Sequence, residues 1–309
     1  MSEPTVYRPR RQATAQSVRV RAIDYHCLVW GDLASATADR PPLLMTHGWM
    51  DIGASFQFVV DALAALEGDA RCIVAPDWRG FGGSVMPEGT DSYWFPDYLG
   101  DLDALGDALS PGVPFDLLGH SMGGNVVMSY AGVRPQRVRK LINLEGFGLP
   151  ATQPQQAVKR LTQWLDELKA PQGLAPYADA PAVAARLMKN NPRLARDKAT
   201  WLAAHWGEPR SDGRWHLRAD PAHKHSNPVL YRVDEVLATW RAITAPLLWV
   251  EGANTDMTKW WGDRYTHAEF ESRLAVVPGV TRVRLDDCGH MLHHDQPERL
   301  AQALRDFLR

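Results

Sequence analysis

LLGHSMGGNVV, residues 117–127, sets a serine between two glycines, each two positions away. Residues 115–118 make an apolar run of strand character and residues 122–130 suit a helix, so Ser121 stands at a strand-to-helix junction. At so tight a junction the two backbones approach closely, and a side chain at Gly119 or Gly123 would collide with them. The serine itself is then held in a strained conformation with its hydroxyl lifted clear of the sheet. The helix start also supplies backbone N–H groups and a partial positive charge where an oxyanion would form.

A hydroxyl is a poor nucleophile without a base in reach and a carboxylate to orient that base. DDCGHMLHHDQPERL supplies the base: His290 follows a glycine directly off the last strand, whereas His293 and His294 approach the final helix. LLMTHGWMD supplies an oxyanion donor: the strand ending at His47 and Gly48 turns outward so that the Trp49 amide faces the serine, complementing the amide of Met122. His47 reads as a loop-orienting residue rather than as the base.

Around this centre, short apolar runs alternate with helical patterns. SVRVRAI, HCLVWG, LLMTHG, CIVAPD, FDLLGHS, LINLEG, PLLWVEG and RVRLDDCG read as strands, the first two as an antiparallel pair. The alternation predicts an α/β fold, a mostly parallel sheet flanked by helices. Helical stripes run through Phe56, Val59, Val60, Leu63 and Leu66, and through Leu300, Leu304, Phe307 and Leu308, with Pro297 in a first turn. Strand character disappears over 150–241, so a helical cap inserted after the sixth strand is expected, the core being 1–149 and 242–309.

HGWMD, PDWRGFGGS, GHSMGG and DCGHMLHHDQPE, in that order, resemble the α/β-hydrolase fold superfamily, in particular its helical-capped serine hydrolase-like branch. The resemblance implies a Ser–His–acid triad and cleavage of carboxylic esters through an acyl-enzyme. It leaves the acid open between two residues. The superfamily commonly places it three residues beyond the glycine after the post-cap strand, where EGANTDM has Thr255, with Asp256 one position later. Haloalkane dehalogenases of one subgroup, which share the fold, place a glutamate directly after the sixth strand, where LINLEG has Glu145. A carboxylate at a buried strand end demands a partner, which favours Glu145. The serine in place of the dehalogenase aspartate, and the absence of an asparagine from HGW, direct the chemistry to acyl transfer. Carbon–carbon bond hydrolysis by the same residues is the alternative, and a ligand receptor on the same fold is the alternative outside catalysis.

The remaining features narrow the class. The chain has 309 residues, 45% hydrophobic and 23% charged, enough for a sizeable core. Its 34 Lys and Arg balance 36 Asp and Glu, which excludes a field that draws in nucleic acid and favours a small-molecule substrate. YRPRRQ near the N-terminus reads as a solvated tail. Three cysteines without paired spacing suit a cytoplasmic location, and neither a signal peptide nor a membrane span is expected. Asp77 and Arg79 read as scaffold, as do His205, His216, His223 and His225, so no metal or organic cofactor is expected. Trp164, Trp201, Trp206, Trp215 and Trp240 either line an apolar pocket or form the cap's own core, and Trp49, Phe147, Trp260 and Trp261 lie nearer in sequence to the proposed site. Oligomeric state is left open.

Overall fold

A computed structural model describes residues 6–68 and 71–309. All eight expected strands join one sheet: β1 (Thr14–Val20), β2 (Ile23–Trp30), β3 (Leu43–Thr46), β4 (Ile73–Pro76), β5 (Phe115–His120), β6 (Val138–Leu144), β9 (Leu247–Gly252) and β10 (Val280–Leu285). Their spatial order is β1-β2-β4-β3-β5-β6-β9-β10, with β1 and β2 antiparallel to each other and β2 antiparallel to β4; the other pairings are parallel. The helices are α1 (Gln57–Glu67), α2 (Phe95–Leu109), α3 (Met122–Val133), α4 (Gln156–Lys169), α5 (Ala180–Asn190), α6 (Arg196–Trp206), α7 (Val233–Arg241), α8 (Thr258–Trp261), α9 (His267–Leu274), α10 (Leu292–Asp295) and α11 (Pro297–Leu308).

Alternation along the strands divides the core into two layers. Leu44, Leu117, Leu141 and Trp249 meet α2, α3, α7 and α9 on one face. Met45, Leu118, Ile142 and Val250 meet α1 and α11 on the other. Because the central strands are covered on both faces, they are continuously apolar. Leu66 departs from the expected α1 stripe, lying 38% exposed at the helix end.

Between β6 and β9, three parts of the 150–241 segment differ in character. A third apolar cluster joins α5 and α6 through Val183, Leu187, Ala199 and Leu202, and it includes Phe58 of α1. The expectation of helices alone is corrected by a small hairpin, β7 (Gly207–Pro209) and β8 (Trp215–Leu217), whose strands are too short to carry a readable alternation. Helix α7 packs on the core instead: Trp240 is buried in the main cluster, and α7 lies so close to α3 that a Cβ on Gly132 would stand 1.9 Å from the Thr239 carbonyl oxygen.

The expectation of a solvated basic tail is also corrected. Tyr7 packs edge-on against Phe58 and Trp201, its hydroxyl donates to Asp61, and the Arg10 and Arg11 amides donate to the same carboxylate at 2.8 and 2.9 Å. Gln57 adds a bond from its Nε2 to the Arg11 carbonyl at 2.9 Å, so the segment is held by an aromatic contact and by two residues of α1.

Gly132→Ala is predicted to destabilise the protein by about 1–3 kcal/mol, because α7 must shift to admit the methyl group. A denaturant midpoint equal to that of the parent protein would show that the two helices are not in such close contact.

Candidate active site

Strand β5 ends at His120 and helix α3 begins at Met122, which leaves Ser121 at φ 52° and ψ −114°. That conformation is held from both sides: the Ser121 N–H donates to the Leu144 carbonyl at 2.9 Å, and its own carbonyl accepts from Asn125 at 3.1 Å. The flanking glycines are sterically required. A Cβ on Gly119 would stand 2.3 Å from the Gly123 carbonyl oxygen, and one on Gly123 would stand 2.4 Å from that of Thr46.

The Ser121 hydroxyl lies 3.0 Å from His290 Nε2, and His290 Nδ1 lies 2.7 Å from Glu145 Oε2. Glu145 is 1% exposed and, like Ser121, has a positive φ, 53°. Its second oxygen accepts the Gly252 N–H at 2.6 Å, so both carboxyl oxygens have a donor. Burial pushes this carboxyl up from the ordinary glutamate range, while the Gly252 amide and the Thr255 hydroxyl pull the other way. Burial also holds the His290 imidazole below its ordinary range, leaving it neutral with Nε2 free to accept the serine proton.

Asp256, the other candidate acid, is not brought to this cluster. Its Oδ1 accepts from the Thr258 N–H at 3.0 Å and the Thr258 hydroxyl at 2.6 Å, so the exposed side chain caps the turn into α8. Thr255, which carries no acid group, occupies the customary acid position. Asp286 and Asp287 are exposed, and Asp286 makes only a loose pair with Arg299 at 3.8 Å. Cys288 is a buried thiol.

The loop after β3 crosses close to the serine: a Cβ on Gly48 would stand 3.1 Å from the Ser121 Cβ. His47 braces that loop. Its Nε2 accepts the Trp78 N–H at 2.8 Å, so Nδ1 carries the proton and donates to the Gly48 carbonyl at 2.8 Å. Among the described residues, neither the Trp49 nor the Met122 backbone N–H donates to a protein acceptor, and Met122 is the first residue of α3. Asp77 and Arg79 are scaffold: Asp77 accepts the Gly53 and Gly83 amides, and Arg79 grips buried Asp101 through two nitrogens at 2.6 and 2.9 Å.

Trp49 and Met122, the two residues expected to supply oxyanion donors, line a cavity of about 150 Å³ together with Tyr93, Trp94, Trp164 and His223. The Trp49 indole donates to the His223 carbonyl at 3.3 Å, and the His223 ring is sandwiched between Phe81 and Tyr93. The five tryptophans of the 150–241 segment therefore divide: Trp164 lines the cavity, Trp206 and Trp215 join the α5–α6 cluster, Trp201 joins it while also meeting Tyr7 and Phe58, and Trp240 enters the main core. Trp260 stands edge-on to His290 with ring centres 4.6 Å apart, and Phe147 packs against Trp249 and Trp260.

Several contributors have no sequence signal of their own. His120 donates from Nε2 to the His290 carbonyl at 2.8 Å. Asp295 accepts the Gly289 N–H at 2.8 Å and an Asn191 amide at 2.7 Å, tying the histidine loop to the end of α5. Only the tertiary contacts show why either residue is there.

This fold and this site define a class. The profile of the alpha/beta hydrolase fold family matches residues 41–297, and the chain belongs to that family; it is a hydrolase of the α/β fold. Among curated relatives it is 32% identical to a 3-hydroxybutyrate-oligomer hydrolase of Cupriavidus necator over 90% of both chains. It is 26% identical to a serine hydrolase-like protein of Danio rerio over 96% of this chain and 92% of the other. Among solved structures, the thioesterase domain from the curacin biosynthetic pathway superposes with a TM-score of 0.78 at 25% identity, covering 95% of this chain and 99% of that one. Among the described residues, no helix is long and apolar enough to cross a membrane.

His47, His120, His223, His293 and His294 are all buried, and burial holds each below the ordinary histidine range. An unfolded chain takes up these protons as pH falls below about 6.5, whereas the folded one does not, so their contribution to stability is present above that pH and is lost below it. Glu145, held above its ordinary range by burial, and His26, held above its own by the Asp77 hydrogen bond, work in the opposite direction but are two groups against five. The denaturant midpoint is predicted to fall between about pH 7 and pH 5; an unchanged or higher midpoint at pH 5 would show that the histidines are not held neutral.

Proposed function

We propose that this protein is a serine hydrolase that cleaves carboxylic esters of small to medium apolar substrates through an acyl-enzyme. The observation that carries the reading is the continuous chain of contacts from the Ser121 hydroxyl through His290 to a carboxyl whose remaining oxygen is already bonded to Gly252. Ser121 Oγ attacks the ester carbonyl as His290 Nε2 takes its proton, and Glu145 stabilises the imidazolium and fixes the ring's orientation. The Trp49 and Met122 amides receive the developing oxyanion. His290 then returns the proton to the departing alcohol. In the second half-reaction it draws a proton from water, which attacks the acyl carbon and releases Ser121.

The cavity supports the choice of substrate. Its volume of about 150 Å³ is of the order that accepts a benzene-sized group, and its aromatic walls favour an apolar chain over a charged one. The similarity to a 3-hydroxybutyrate-oligomer hydrolase is consistent with a short acyl group carrying one further oxygen, and oligomers of 3-hydroxybutyrate belong in the substrate panel. No step requires a metal or an organic cofactor.

Glu145→Gln is predicted to reduce turnover of a p-nitrophenyl ester by about 10⁴-fold, while Asp256→Asn stays within a few-fold of the parent protein. A fluorophosphonate probe is expected to label one serine and to lose that label in Ser121→Ala. Persistent labelling, or equal mild losses in both acid variants, would sink the assignment.

Across p-nitrophenyl esters, kcat/KM is predicted to be highest for short acyl chains and to fall sharply by decanoate, with Trp164→Ala extending the accepted length. A profile flat in chain length, or one unmoved by that substitution, would place the acyl group elsewhere.

A further inference from the structure

Behind Ser121 and His290, three buried side chains converge without satisfying one another. Asp51, at 4% exposure, His120, at 1%, and His293, at 0%, bring one ligand-type atom each to within 4.8 Å of the others. Among the described residues, Asp51 Oδ2, His120 Nδ1 and both nitrogens of His293 have no hydrogen-bond partner. The contact from His293 Nε2 to Asp51 Oδ2 is 3.7 Å, too long for a hydrogen bond. Leaving four such atoms unpaired in the interior is costly, and a few unpaired buried groups are usual for a whole domain, not for one cluster.

The supporting contacts suit a metal ion. His120 donates from Nε2 to the His290 carbonyl, which fixes the tautomer and leaves Nδ1 with a lone pair that has no partner among the described residues. A ligating histidine is ordinarily braced in this way by its second nitrogen. Asp51 Oδ1 accepts the Ile52 N–H at 2.9 Å and the Ser55 hydroxyl, which orients the other oxygen inward. Two imidazoles and one carboxylate form a ligand set for zinc, cobalt, nickel or copper rather than for magnesium or calcium.

We propose that Asp51, His120 and His293 form a transition-metal site whose occupation reversibly inhibits the enzyme. Metal–ligand bonds of about 2.0–2.2 Å leave two ligands on one ion at most about 4 Å apart, so the ion draws the three side chains inward. Movement of His120 is transmitted directly, because it precedes Ser121 in the chain and holds the His290 carbonyl. Binding therefore displaces nucleophile and base relative to each other. The site is closed to solvent, so inhibition develops slowly. The inhibitory consequence rests on the proposed hydrolase reading; the metal binding does not.

Metal-free protein titrated with Co²⁺ is expected to bind one equivalent, seen as a ligand-field absorption band that Zn²⁺ displaces and Mg²⁺ does not. Ester turnover is expected to decline over minutes in Zn²⁺ and to return on chelation. Ser121→Ala should keep the Co²⁺ band, whereas His293→Gln and Asp51→Asn should weaken binding at least about tenfold. Should those variants fail to fold, anomalous scattering from Zn²⁺-soaked crystals of the parent protein decides the matter through a peak between the three side chains. Absence of a one-to-one Co²⁺ complex, loss of the band in Ser121→Ala, unchanged affinity in a folded His293→Gln, or an anomalous peak elsewhere would overturn the proposal. Binding that leaves turnover intact would overturn only the inhibition.

Discussion

A carboxyl group buried at the end of a parallel strand is the constraint around which this molecule is arranged. Glu145 leaves β6 with a positive φ, has no access to water, and is tolerated because the Gly252 amide and the His290 ring each serve one of its oxygens. Those partners come from β9 and from the loop after β10, so one side chain connects three neighbouring strand ends of the sheet. Removing either donor would leave a buried polar group unpaired, at a cost of about 1–3 kcal/mol.

The same logic extends outward from that group. His290 is oriented on one side by Glu145 and on the other through its carbonyl by His120, and the glycine before it is tied by Asp295. Ser121 is strained, but its backbone is bonded in both directions and its neighbouring glycines admit no side chain. Strain of this kind persists only where the surroundings over-determine it. The segment between β6 and β9 meets the loop after β3, its His223 ring held between Phe81 and Tyr93 and its His223 carbonyl accepting the Trp49 indole N–H. That segment is thus joined to the loop that carries an oxyanion donor of the proposed mechanism.

Much of this was legible in the sequence because the relevant constraints are local. Short continuous apolar runs disclose strands wherever both faces are buried, and a serine flanked by glycines discloses a junction with no room for Cβ atoms. The hairpin β7–β8 left no such trace, being three residues per strand, and the docking of Tyr7 depends on Asp61, more than fifty positions away. The acid was ambiguous for the same reason. Glu145 and Asp256 both follow strands, and although the buried strand end favours Glu145, no local feature shows which carboxyl reaches His290 and which caps a turn.

The sequence by itself therefore determined the α/β architecture, the serine, the histidine and the two loops that approach them, because backbone sterics and hydrophobic periodicity act over a few residues. Only the tertiary structure decided which carboxyl joins the histidine, which tryptophans face the cavity, and that Asp51, His120 and His293 meet behind the site. Those outcomes turn on distances between side chains far apart in the chain, and such distances are set by how the strands and helices pack.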